Sequence, residues 1–424
     1  MNHLLLLAYF FPPHGGGGVL RSVETVRLLE NHGWRSTVIA GPPGGYWYKD
    51  QSLAGRVPDS ARVVHTRALV GPGALLALGR LGSRRVPGRS EKTVGRLRRL
   101  ADWLGVPDVY CGWIPSALSA AFEHARRADC ILSTSPPESA HLAAWYLARK
   151  TGKRWVADFR DPWVRGIYRR YPTPFHKSCQ KRLERLAIER ADLVLATTEA
   201  AVSDFRSRYP HFPPEKFQHL PNGFDPLEFS EFQNNAPPGG PLRLIHTGGL
   251  TLDRDPTPLF EALASLNRQG KDRCSLELVG PCDGHFKERA EALGLAGTVT
   301  FSGFLPRSEV LGKIAASHLA LLLESFAPGA ELVVPGKFYD YLGARIPVLA
   351  VVPPGAAEEI VTRTGCGITV TEPESRKIAE AMRMLLDRFE RKQSLIDGTR
   401  PEEVSRYERA RLVEKLAGLL ESPA

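Results

Sequence analysis

The stretch that most limits how this chain can fold lies late in it. LALLLE (Leu319 to Glu324) is an unbroken apolar run, followed by a loop, a helical pattern and a second apolar run that ends at Val352. Apolar runs without alternation belong in the middle of a parallel sheet, where both faces are covered. Parallel neighbours need a long crossover, so the residues between the two runs must supply a helix, which Pro335 opens. Ligands of such sheets gather at the carboxyl ends of the strands. At that end the chain sets the backbone N–H groups of a helix start, Lys337, and two carboxylates, Glu331 and Asp340. A helix start attracts phosphate. A cation with an acceptor three residues later suits the phosphate and the sugar hydroxyls of a nucleotide. The same spacing also suits a surface ion pair worth about 0.3 kcal/mol.

The rest of the chain repeats this alternation twice. HLLLLAYFF (His3 to Phe11) reads as a strand; PPHGGGGVLRS follows, then a helix with Val19, Val23, Val26 and Leu29 on one face, closed by Gly33. Further strands are expected at CILST, RWVADFRD and DLVLATT, and in the second half at LRLIHTGG, SLELVG and VTFSG. The class is therefore α/β: two doubly wound domains, facing each other with the carboxyl ends of both sheets on a shared cleft. A chain of 424 residues is long enough for two or three domains. The expected division is an N-terminal domain over residues 1–225, a Pro- and Gly-rich linker from Pro226 to Pro241, a C-terminal domain over 240–400, and a last helix over 401–424. That helix carries Leu412, Leu416, Leu419 and Leu420 as an apolar stripe that needs covering.

Gly15, Gly16, Gly17 and Gly18 lie at the carboxyl end of the first strand, where glycines let a backbone approach a ligand or simply make a flexible turn. They fit neither the dinucleotide fingerprint nor the P-loop. The apolar runs are too short to span a membrane, and the first has no basic lead-in of the signal-peptide kind. Six scattered cysteines without a C-x-x-C pair read as reduced structural thiols, so a cytoplasmic protein is expected. A net charge of +10 favours an anionic partner. The basic cluster from Arg80 through Arg99, beside Leu97, Leu100 and Leu104, reads either as a solvated face or as a peripheral contact with an anionic membrane at its inner face. Basic residues interleaved with stacking aromatics in a nucleic-acid module are not found.

YFFPPHGGGGVLRS, VADFRDPW, LPNGFD, HTGGLTLDRDP and VPGKFYDYLGARIPVLAVVPPG, in this order and at these intervals, resemble the GT-B glycosyltransferases, in particular the GT4 family of retaining enzymes. The likeness spans nearly the whole chain and is weakest between Pro42 and Asp129. It implies two Rossmann-like domains across a deep cleft: an acceptor-binding N-terminal one and a C-terminal one that holds a nucleoside-diphosphate sugar. The last helix would cross back onto the N-terminal domain.

Position by position, the resemblance implies that Gly15 to Gly18 approach the donor diphosphate and the acceptor. Gly249 stands where relatives often carry a first diphosphate cation, and Arg254 matches the second, so weight moves to Lys337 or to another arginine such as Arg21. The donor site would comprise Gly248, Gly249, Arg254, Glu331, Leu332, Val333, Lys337 and Asp340. Asp340 takes the place of the later of two family glutamates, the one that binds ribose; Leu332 stands at the earlier place and Glu331 one residue off. Arg160 occupies a position where many relatives have a histidine near the reacting sugar. It and Asp161 are candidates for catalysis, or for a network with Asp158 that fixes the strand end. His14 and Arg21 are acceptor-side candidates.

Asp253-Arg254-Asp255 matches the letters of a metal-binding D-x-D, but Asp255 precedes Pro256 as a helix N-cap would. The expected chemistry is metal-free, with no tightly bound cofactor. Arg254, Lys337, loop amides and a helix start hold the phosphates of the donor, and a saccharide, lipid-linked or small-molecule hydroxyl accepts the sugar. The alternatives are a nucleotide-sugar epimerase and a catalytically silent nucleotide-sugar binding protein.

Overall fold

The computed structural model describes residues 1–44, 50–68, 100–101, 103–167, 171–232, 236–237, 239–267 and 273–422. The basic cluster from Arg80 through Arg99, and Leu97 with it, lies outside them; Leu100 and Leu104 are exposed. The described residues include no helix long and apolar enough to cross a membrane. All six cysteines are free thiols, three of them buried.

The chain divides into two compact units, Met1–Leu220 with Val413–Ala424, and Pro221–Leu412. The first is built on seven parallel strands: β1 (Asn2–Leu7), β2 (Trp34–Ala40), β3 (Arg62–His65), β4 (Cys130–Ser135), β5 (Arg154–Phe159), β6 (Leu193–Ala196) and β7 (Phe217–His219). They lie in the order β3-β2-β1-β4-β5-β6-β7, so the winding reverses between β1 and β4. Leu4 to Leu7 are all buried, as a strand covered on both faces requires. The first helix, Gly17–Leu29, buries Val19, Val23, Val26 and Leu29 and gives way to a single tight turn closed by Gly33 in the left-handed region (φ 77°).

The second unit holds six parallel strands, β8 (Leu242–Thr247), β9 (Cys274–Val279), β10 (Val299–Gly303), β11 (Leu319–Leu323), β12 (Val348–Val351) and β13 (Gly367–Val370), in the order β10-β9-β8-β11-β12-β13. Here the reversal falls between β8 and β11, which pair through Leu319 with Leu244 and Ala320 with Ile245. Every residue of β11 is buried. The helix expected from Pro335 forms as Gly336–Gly343, with Pro335 as its N-cap residue.

Two expectations about boundaries are corrected. The last residues of the expected N-terminal domain, from Pro221, and the supposed linker after them belong to the second unit. Phe224 N–H donates to the Tyr407 carbonyl (3.0 Å), Asp225 caps a short helical turn at Pro226–Phe229, and the Phe229 ring lies so close to Gly343 that a Cβ there would be 2.3 Å from it. The terminal helix expected from about Glu402 is two helices, Pro401–Ser405 and Arg409–Glu421. The break comes where Tyr407 and Arg409 exchange backbone hydrogen bonds with Phe224, an extended pairing that a continuous helix could not make. The second helix buries Val413, Leu416, Ala417 and Leu420; Lys415 donates to the His219 carbonyl and Arg154 to that of Leu420.

Candidate functional site: two cations at the carboxyl edge of the second sheet

The last residues of β8, His246 and Thr247, and Glu324 just beyond β11 stand at the winding reversal of the second unit, where open α/β sheets bind ligands. Tyr341 fixes the Gly336–Gly343 helix over this edge. Its hydroxyl takes the Thr247 N–H (2.9 Å) and donates to the Leu321 carbonyl (3.3 Å), which joins both strands to one helix side chain. Burial holds the Tyr341 phenol protonated, well above its ordinary pKa.

Lys337 lies in the first turn of that helix, beside the amides that have no intrahelical partner. The residue keeps some surface, yet its ammonium end is inside the protein: Nζ is 3.1 Å from His246 Nε2. His246 is fully buried, and its Nδ1 is 3.0 Å from the Leu321 carbonyl. A carbonyl only accepts, so the proton sits on Nδ1 and the Nε2 lone pair faces Lys337. Burial, followed by repulsion from Lys337, pushes the imidazole pKa well below its ordinary value, so the ring is a neutral acceptor. Burial and then the Arg254 guanidinium lower the Lys337 pKa to about 7, with Glu324 opposing them.

Arg254 ends a short turn, Leu252–Arg254, at the edge of β8. It meets Glu324 at two points, a hydrogen bond from Nη2 to Oε2 at 3.1 Å and an ion-pair contact between Nε and Oε1 at 2.6 Å, and the Glu324 side chain is 1% exposed. Gly248 makes the turn beside them, in a backbone conformation that favours glycine. It has φ +100°, and a Cβ there would touch Lys337 Nζ at 3.7 Å. Gly249 borders on Pro281 instead.

Lys337 and Asp340 do not form the surface pair that their spacing allows. Asp340 Oδ1 accepts from Arg307 Nη2 at 2.8 Å, and Arg307 also makes a two-point pair with Glu228 (3.0 and 2.8 Å). Burial alone would lower the Arg307 pKa, but Asp340 and Glu228 outweigh it and raise it. Asp340 is thus held in place by a cation, with its carboxylate partly exposed. Glu331 turns back on its own loop, where Oε2 takes the Gly329 N–H at 2.7 Å. Leu332 is buried and Val333 half-buried. The Asp253-Arg254-Asp255 run does not converge as a metal site would: Arg254 goes to Glu324, and Asp255 accepts the Thr257 N–H (2.8 Å) at the start of the Thr257–Asn267 helix.

In the first unit, Gly16 and Gly17 are exposed and Gly18 half-buried, while Gly15 is buried with His14 behind it, its ring 6.0 Å from that of Phe10. Gly16 (φ +105°) starts the Gly17–Leu29 helix. Gly18 has a second purpose that the sequence did not disclose. A Cβ there would fall 1.4 Å from Arg160 Nη1, so only glycine lets the guanidinium lie against this loop. Arg160 is pinned there by the carbonyls of Ser135 (3.0 Å) and Pro136 (2.5 Å). Asp161 is exposed.

Arg21, expected as a phosphate or acceptor contact, is held inside the first unit. It is 6% exposed, meets Asp158 at two points (3.0 and 2.9 Å) and donates to the Leu220 carbonyl. Asp158 takes Arg21 and Thr134 in place of the expected network with Arg160 and Asp161. A buried arginine neutralised in this way ties the first helix to β5.

Four residues of the second-unit site escaped sequence reading: His246, Glu324, Arg307 and Glu228. Glu324 had a signal, a carboxylate at the end of an apolar run, and so had Arg307, a cation in a helix first turn where the dipole disfavours it. His246 had none beyond its place in HTGGLTLDRDP, and Glu228, in the supposed linker, had none.

Comparisons with known proteins agree with this fold. Residues 16–223 match the family model of the glycosyl transferase 4-like domain, and residues 228–401 that of the glycosyl transferases group 1. A search of curated protein sequences finds no match. Among solved structures, HepE from Anabaena in complex with UDP is similar over 100% of both chains, at 18% identity and a TM-score of 0.67. The sucrose-phosphate synthase of Thermosynechococcus elongatus is similar over 99% of this chain and 98% of its own, at 13% identity and a TM-score of 0.66. WaaG, a glycosyltransferase involved in lipopolysaccharide biosynthesis, is similar over 99% and 100%, at 17% identity and 0.59. The two Rossmann-like α/β domains and the two family models together place this chain among the glycosyltransferases of the GT-B fold.

Proposed function

We propose that the chain is a retaining, metal-independent enzyme of the GT4 family. It moves a sugar from a nucleoside diphosphate to a hydroxyl of a saccharide, lipid-linked glycan or small molecule, in polysaccharide or glycoconjugate synthesis. Breaking the anomeric C–O bond leaves positive charge on the sugar and new negative charge on the departing diphosphate. The observation that carries the reading is the meeting of Arg254, Lys337 and the first-turn amides of the Gly336–Gly343 helix at one sheet edge. Fixed donors aimed at developing charge supply most of the rate enhancement in many enzymes. Asp340, steadied by Arg307, is the ribose acceptor in this account. Gly15 to Gly18, with Arg160 pinned against the loop and His14 behind it, serve the acceptor side. Six free cysteines support a reducing, cytoplasmic setting.

The Anabaena structures hold UDP and UDP-glucose, which makes uridine donors the first to try. The purified chain is incubated with UDP-glucose and its counterparts in other bases and sugars, with and without acceptors and EDTA. Release of nucleoside diphosphate should depend on the acceptor and persist in EDTA, and NMR of the product should show the donor's anomeric configuration. Loss of transfer in EDTA would refute metal independence, and an inverted product would refute retention. An isomerised sugar without acceptor would replace transfer by epimerisation.

A further inference from the structure

The Lys337–His246 contact is an unusual way to hold a phosphate-binding lysine. A lysine on a sheet edge ordinarily keeps its ammonium in water; this one puts Nζ against a ring nitrogen that can only accept a hydrogen bond. The charged groups around it do not balance. Arg254 faces it from the Leu252–Arg254 turn, and Glu324, at the end of β11, is already gripped at two points by Arg254. Asp340, one turn along the same helix, is taken by Arg307, which also holds Glu228. From β8 comes the neutral His246, and Thr247 and Tyr341 bond to each other. Charging Lys337 with these groups alone would therefore set a desolvated cation beside Arg254 with no carboxylate of its own among them. A diphosphate supplies the missing anion.

We propose that His246 positions Lys337 as a proton-taking clamp: binding of the donor's diphosphate draws a proton from solvent onto Nζ, and release of the nucleotide product returns it. The imidazole stays neutral throughout. Its Nε2 lone pair holds one ammonium N–H, so the others point to the phosphate, and Nδ1–H stays on Leu321. This inference rests on the donor site assigned above. The low Lys337 pKa agrees with it, since a group half-neutral near pH 7 gains its proton fully when an anion arrives.

The test is calorimetry on the full chain at pH 8, in buffers of small and large ionisation enthalpy. UDP-, GDP-, ADP- and dTDP-glucose are the probes, because their diphosphates do not themselves titrate near neutrality. The expected result is a buffer-dependent enthalpy that reports uptake approaching about one proton, and affinity falling about tenfold per pH unit above pH 8. Lys337→Arg, which is charged at every pH used, should bind with no buffer dependence. His246→Gln keeps an acceptor and should preserve the profile, whereas His246→Leu should move the fall in affinity to lower pH. Binding of any probe without proton uptake, or uptake that persists in Lys337→Arg, overturns the proposal and leaves the donor site standing. An unchanged pH profile in His246→Leu, or an altered one in His246→Gln, removes the role of His246. If no probe binds, it is the donor-site reading that fails.

Discussion

Arg254→Ala should lower turnover at saturating donor by about 10²-fold or more, the usual loss when one fixed donor to developing charge is removed. The effect should fall on kcat more than on KM, because the diphosphate gains charge as the sugar leaves. The same change should destabilise the second unit. Glu324 has a side chain 1% exposed and would lose a two-point partner, and breaking a buried pair from one side costs about 3–5 kcal/mol. The two effects separate in Glu324→Gln, which keeps Arg254 charged but loosens its grip. Thermal unfolding together with steady-state rates distinguishes them. An Arg254→Ala variant with near-normal kcat would mean that Arg254 is only Glu324's counterion.

Lys337→Met is the second large effect. Methionine keeps most of the aliphatic stem against Gly248 and removes the charge, so folding should be little disturbed while kcat/KM falls by about 10²–10³-fold. Loss of the amine should also flatten the alkaline side of the profile. The lysine's pKa is lowered to about 7 by burial first and Arg254 second, so in the native chain donor affinity should weaken as pH rises above that value. In Lys337→Met that dependence should vanish, leaving weak binding at every pH. Rates measured from pH 6 to 9 check both statements, and a methionine variant that keeps the alkaline decline would assign the titration to another group.

The parallel sheets could be read from sequence because their strands advertise themselves. Runs such as Leu4 to Leu7 and Leu319 to Leu323 have no polar face to hide, and helices of crossover length separate them. The helix start at Pro335 with Lys337 inside it was legible for the same local reason. What eluded the sequence were partnerships between distant residues. Asp340 finds Arg307 33 positions away, and Lys337 finds His246 at a distance of 91, so no spacing rule could pair them. The burial of Arg21 could not be read either, because a helix covered on several sides buries its charged residues too: Arg21 and Glu24 are inside along with Val19 and Val23. Gly18 looked like one of four equivalent loop glycines, whereas its requirement comes from Arg160, set against it from the end of β5.

The most direct measurement is a crystal structure of the full chain with a bound nucleoside diphosphate, grown without divalent ions. The account predicts diphosphate oxygens within about 3 Å of both Lys337 Nζ and the Arg254 guanidinium, beside the first-turn amides at Gly336 and Lys337. A diphosphate seated away from these two cations, or one that binds only with a metal bridging it to Asp253 and Asp255, would contradict it.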